Sequence, residues 1–284
     1  MRRPGPESVT WRIAGERLLV LGWGRAILLQ MAHPLIAAGV DRHSTFRHGM
    51  FAPYRRLHAT VSAMRALTFG SHAEAQAMAD HIRRVHDRVS GELPEAAPGW
   101  PRGTAYSAHM PDLLAWVHLT LVDSMLRSYE GLVEPIPPHA RDQYCSESRV
   151  AGRWFGIPDA MLPADGAALD AAFTAMVRSG RLQVTHAARR IARDLLDPPL
   201  GWATGPLRPL VRRLSVGWLP PEIREAYGFT WTERDEARLA RNIARVRRLR
   251  ARTPSRLARW PEARNVPPWP DAPALVDERR DQSA

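Results

Sequence analysis

The chain has 284 residues, 45% of them hydrophobic and 24% charged, a balance that fits an ordinary globular protein and excludes a disordered or fibrous one. Its net charge of +11 rests on arginine alone, since none of the 40 basic residues is lysine. Such usage reflects the coding bias of a GC-rich genome, so the charge is weak ground for a specific nucleic-acid partner. The single cysteine, Cys145, excludes an intramolecular disulfide framework and a zinc site built on cysteine pairs.

A chain of this length buries about three quarters of its unfolded surface, enough to enclose a cofactor. Ser8 reads as the cap of a helix over 10–20, and a second helix is predicted over 25–32, ending before Pro34. The apolar run 18–40 is interrupted by Arg25, Gln30, His33 and Pro34. No membrane span or signal peptide is expected there, and the run reads as a buried helix pair of a cytoplasmic protein. A loop through Gly39, Asp41 and Gly49 follows, then a helix over 55–69 stopped by Gly70. Ser71 and Glu74 form a capping-box signature for a helix reaching about residue 90.

Five prolines and glycines between 94 and 103 mark a loop, after which Pro111 opens a helix that Gly131 closes. Further helices are predicted over 138–155, 166–179, 184–196 and 221–226, and no strand pattern stands out. From 231 the character changes. Ten arginines between Arg234 and Arg259, interleaved with Leu239, Ile243, Val246 and Leu249, predict a basic amphipathic helix followed by a proline-rich tail. The expected organisation is a helical domain over 8–230 with a flanking segment over 231–284.

Nine of the eleven histidines lie between His33 and His118. At about 100° per residue, Ala75, Met78, Ala79, Ile82, Val85, His86 and Val89 share one arc. Leu114, Val117, His118, Leu121 and Met125 share another, so His86 and His118 are predicted to point inward from consecutive helices. An inward imidazole is a heme or metal ligand, or else a core histidine bonded to a carbonyl. The nearby carboxylates Asp87, Asp123 and Glu130 do not share those faces, and heme, which needs only one protein ligand, suits the pattern better than a multi-ligand metal. Arg56 and Thr60 stand one helical turn apart, so a guanidinium and a hydroxyl can converge on a propionate, bound oxygen or an anionic substrate.

The ordered series from Leu28-Leu29-Gln30-Met31-Ala32-His33-Pro34 through Ala37-Ala38-Gly39-Val40, Arg56-Leu57, Thr60, Phe69-Gly70, Val85-His86, Tyr106-Ser107-Ala108, Trp116-Val117-His118 and Gly156-Ile157-Pro158 resembles the MpaB-like/rubber oxygenase catalytic-domain family. The resemblance spans roughly 10–230. It implies an all-α fold, a single globin-like helical bundle enclosing a heme pocket, with one heme b and oxygen-dependent chemistry. It also implies His86 as the axial ligand, with Arg56 and Thr60 supporting the heme site and His118 as the alternative ligand. Rubber oxygenases carry a lysine just before the threonine, where this chain has Ala59, which puts coordination by an amine in doubt. Asp41 is the nearest counterpart by spacing of their acidic base, and His33 is read as a residue behind the pocket or at a helix end. The expected activity is oxidation of a small apolar organic substrate with dioxygen or a peroxide. The alternatives are a non-catalytic heme-binding or regulatory protein and, last, a basic helical nucleic-acid binder.

Overall fold

The computed structural model describes residues 3–43, 52–197, 207–267 and 269, with backbone alone for 52–57. Among the described residues thirteen α-helices and one two-stranded sheet make up the fold, so the chain is all-α as expected.

Its axis is a pair of helices, α2 (Trp23–Met31) and α6 (Pro111–Leu132), which pack along one another. Their closeness follows from small residues. A Cβ on Gly22 would stand 1.9 Å from Ser128 Oγ, and one on Gly24 would stand 2.1 Å from Ser215 Oγ of α10 (Arg208–Gly217). Gly22 and Gly24, within the apolar run 18–40, are thus where serine side chains press on the bare backbone. The polar interruptions are absorbed in the same layer. Arg25 is fully buried, donates to Trp218 O at 2.8 Å and Ser124 Oγ at 2.7 Å, and is ion-paired with Asp123. Gln30 donates to Thr120 Oγ1 at 3.1 Å.

Among the described residues no single helix is long and apolar enough to cross a membrane; the pair Arg17–Met31 and Pro34–His43 has the length and composition but is bent by 109°. Most of α2 and much of that second helix, α3 (Pro34–His43), are buried.

Several boundaries differ from expectation, for physical reasons. The helix expected over 10–20 is α1 (Val9–Ala14), capped by Ser8, followed by a 3-10 turn over Arg17–Gly22. The break lets Glu16 turn inward, where Arg250 donates to both carboxylate oxygens at 2.6 and 2.7 Å and Arg259 adds a bond at 2.8 Å. Gly39 and Asp41 lie in α3 rather than in a loop, because Pro34, which stops α2, sits at the first position of the next helix, where a missing N–H costs nothing; Gly49 lies outside the described residues. After α4 (Ala52–Phe69), the capping box of Ser71 and Glu74 starts α5 (His72–His86), which ends four residues earlier than expected. The chain leaves it as a strand, β1 (Ser90–Glu92), paired antiparallel with β2 (Ala105–Ser107). That hairpin has three residues a side, too short for an alternating pattern to register.

Next come α7 (Pro138–Trp154), α8 (Gly166–Arg178) and α9 (His186–Leu196), then α10, which the sequence reading passed over, and α11 (Pro221–Ala226). The basic segment forms α12 (Glu233–Arg252) and a turn of helix, α13 (Ser255–Ala258). Leu239 of α12 is buried with Leu132, Leu214 and Trp218, and Ile243 and Val246 pack against that cluster. Beyond α13 the chain is strapped to the N-terminal end: Trp260 N donates to Gly15 O at 2.9 Å, and Arg12 stacks over Trp269, which meets Tyr129 edge-on. The remainder of the expected tail, 270–284, lies outside the described residues.

Candidate functional site

Helices α4 and α5 form a hairpin packed chiefly on itself and, through α4, on α1; neither runs closely along α6 or α7. The hairpin touches the body at two places. Phe69 and Met64 of α4 join Trp11, Met125 and Trp260 in one apolar cluster. At the other end, Arg83 donates to Trp154 O at 3.3 Å and His86 faces Phe155 at 6.4 Å between ring centroids. Between these contacts α6 presents His118, Leu121 and Met125 on one face. Cover falls away along it: Met125 is packed, whereas Leu121 is 47% exposed on the most buried long helix of the protein. α6 thus carries an apolar, partly open strip that includes His118 and Leu121; no described contact joins it to His86, whose apolar neighbour is Phe155.

His86 is the last residue of α5, where no further turn shields it, and it is half-buried. Its ring lies 6.1 Å from that of His109, whose Nε2 is 2.8 Å from Asp87 Oδ1. Burial, with His109 adding to it against Asp87, lowers its pKa from the ordinary imidazole value, so the neutral form prevails at neutral pH. No hydrogen bond ties the ring to another described residue. The apolar arc expected on α5 is only partly realised: Ala75 and Ala79 are buried, Val85 is 48% exposed, and Val89 lies beyond the helix end. The open side of α5 is that of Val85, because α6 does not close over it.

His118 lies midway along α6, and burial alone lowers its pKa to about 4. Its one described polar neighbour is Ser148 Oγ on α7, 3.4 Å from Nε2, and that hydroxyl already donates to Cys145 O at 2.7 Å. The histidine contact is therefore a long one. His33, at the corner between α2 and α3, is fully buried, and neither ring nitrogen has a hydrogen-bond partner among the described residues. Its ring meets Trp100 edge-on at 4.9 Å, and burial and Arg181, opposed by Asp112, lower its pKa to about 4. It is a core histidine apart from the other two, sharing no described contact with them.

Thr60 is exposed on α4, one turn after Arg56, whose side chain lies outside the described residues. Asp41 on α3 is ion-paired with Arg190 of α9 at 2.7 Å, which ties it to the α3–α9 side of the fold. Sequence reasoning missed His109, Phe155 and Ser148 as neighbours of the two histidines. None falls on an apolar stripe: His109 and Phe155 sit at element ends and Ser148 within α7, and only tertiary packing brings them close.

Among the described residues no group of three or more His, Cys, Asp or Glu side chains converges to hold a metal ion. A multi-ligand metal therefore finds no donor set there. The set does fit heme, whose macrocycle supplies four nitrogens and which asks the protein for one neutral imidazole beside apolar surface. A separate open groove of about 400 Å³, lined by Arg224, Phe229 and Trp231 at the end of α11, shares no residue with the histidine strip.

No curated protein and no solved structure matches the chain. The family described as "ER-bound oxygenase mpaB/B'/Rubber oxygenase, catalytic domain" matches residues 11–249, from α1 into the last turn of α12. That span takes in every helix bordering the strip, and the chain belongs to the mpaB/rubber oxygenase catalytic-domain family.

Proposed function

We propose that the protein is a heme b-dependent oxygenase that oxidises a small apolar organic molecule with dioxygen or a peroxide. The observation that carries the reading is His86, a half-buried neutral imidazole without a hydrogen bond to a described residue, facing the Phe155 ring in an oxygenase domain. When bound, heme supplies the redox chemistry that the amino-acid side chains lack.

The chain's own residues would divide the remaining work. His86 offers a nitrogen lone pair to iron; its low proton affinity keeps that lone pair available at neutral pH. Arg56 provides a guanidinium for a propionate or another anionic oxygen, and Thr60, one turn on, a hydroxyl donor. Leu121 and Val85, both exposed, favour an apolar molecule over a charged one. His118, on α6, is the alternative axial ligand. Asp41, held by Arg190 of α9, would have to leave that guanidinium to reach a substrate. His33 would support the α2–α3 corner.

The test is an absorption spectrum of the purified protein, reconstituted with hemin if colourless. A Soret band lost in His86→Ala and kept in His118→Ala is expected. The reverse pattern transfers the ligand to His118, and failure of the wild type to bind hemin rejects the heme. Oxygen uptake with a reductant and an isoprenoid then separates an oxygenase from a protein that only holds heme.

A further inference from the structure

The arginines of α12 divide into two groups. On the inner face, Arg250 grips Glu16 and Arg247 donates to Glu130 O and Gly131 O. On the opposite face Arg234, Arg238, Arg241, Arg245, Arg248 and Arg252 are all exposed. Their spacing of four, three, four, three and four residues confines them to roughly 80° of the helix surface, in a straight row about 27 Å long.

What sets the row apart is its alignment. Single exposed arginines occur elsewhere, some paired with carboxylates, as in Arg65–Glu262, Arg181–Asp112 and Arg208–Asp197, and others, such as Arg84 and Arg102, without a described ion pair. In the row the one described ion pair is Arg238–Asp235, at 3.7 Å, and the sequence has no Asp or Glu between 237 and 261. Close in sequence to the row's C-terminal end are two largely exposed leucines, Leu249 at 69% and Leu257, on α13, at 61%.

We propose that this face of α12 and α13 docks on an anionic lipid bilayer, the arginines on the headgroups and Leu249 and Leu257 in the interfacial layer. A bilayer surface offers negative charge and an apolar layer side by side, which is what the row and its leucines match. A nucleic-acid backbone would take the arginines but leaves the leucines in water, and the aromatic groups that stack on bases are missing from this face: Trp231 donates to Glu236 and Trp260 is flanked by Arg17 and Arg65. The inner face of α12 stays docked throughout, so binding needs no rearrangement.

Co-sedimentation of the full chain with vesicles tests this. Vesicles of phosphatidylcholine with phosphatidylserine should bind the protein, added salt should weaken the binding, and vesicles of phosphatidylcholine alone should not bind. Each arginine near the surface is worth about fivefold in affinity, so Arg241→Gln/Arg245→Gln/Arg248→Gln should lose on the order of a hundredfold. Leu249→Ser/Leu257→Ser should lose on the order of tenfold at any salt concentration. All five side chains are exposed, so the melting temperature should stay unchanged. Equal binding to both vesicle types, or undiminished binding by the arginine variant, overturns the proposal. So does duplex DNA binding that depends on the row while vesicles are ignored.

Discussion

Two regions of this protein handle buried polar groups in opposite ways. Around α2, α6 and the C-terminal strap, the most buried charges are paired: Arg25 has Asp123, Ser124 Oγ and a carbonyl, and Glu16 has two guanidinium groups. Across the histidine-bearing elements, His86 has no hydrogen bond to a described residue, His118 has one long contact, and His33 has no partner for either nitrogen. The fold has the means to satisfy polar groups and uses them where charge demands it. An imidazole can avoid that demand by staying neutral, at the cost of its proton affinity, and a neutral imidazole is the form that binds a metal centre.

The saturated region should break hardest. Arg25→Met leaves Asp123 buried without its cation and should cost about 3–5 kcal/mol, read as a lower denaturant midpoint. Adding Asp123→Leu should restore most of that loss, since a matched apolar pair carries no stranded charge. If the double variant is no more stable than the single one, the pair is not the coupled unit the geometry describes. Glu16→Gln should cost about 3 kcal/mol, because Arg259 is buried and keeps only a neutral acceptor. Its loss should also loosen the strap, raising protease sensitivity after Arg252 while leaving α1–α11 protected. Uniform sensitivity along the chain would show that the strap does not open separately.

The same contrast explains what could be read from the sequence. Helix starts were legible because Ser8, Ser71 with Glu74, Pro111 and Pro138 act within a turn of themselves. The all-α class followed from those signals and the 3.6-residue periodicity. Long-range pairings were not legible: Glu16 reads as an ordinary surface glutamate until Arg250 and Arg259, more than 230 residues away, arrive beside it. Asp41 looked like a loop aspartate for the same reason, its partner Arg190 lying 149 residues on. At the candidate site the sequence singled out His86 and His118 by their helical faces, but the faces were predicted to be closed. That α4 and α5 stand off from α6, leaving Val85 and Leu121 in solvent, is a property of helix packing, and no helix's own periodicity encodes it.

The unsaturated region makes a smaller, pH-dependent prediction through His33. An unfolded imidazole takes up a proton as the pH falls through about 6.5, whereas the folded one, buried beside Arg181 and only partly offset by Asp112, resists until about 4. The unfolded state therefore binds the extra proton in that window, so the stability His33 contributes is complete above pH 6.5 and is lost progressively as the pH falls to 4. The loss should be about 3 kcal/mol. In His33→Leu the chain has no proton to take up at this position, and the fall across that window should shrink by the same amount, the remainder coming from His118 and from carboxylates. At neutral pH the substitution should change stability by less than about 1 kcal/mol, because it removes two nitrogens that bond to nothing and puts an apolar side chain against Trp100. A larger loss at pH 7, measured by urea unfolding, would mean that the His33 nitrogens have a polar partner after all, and would move this histidine from the passive core to the side of His86 and His118.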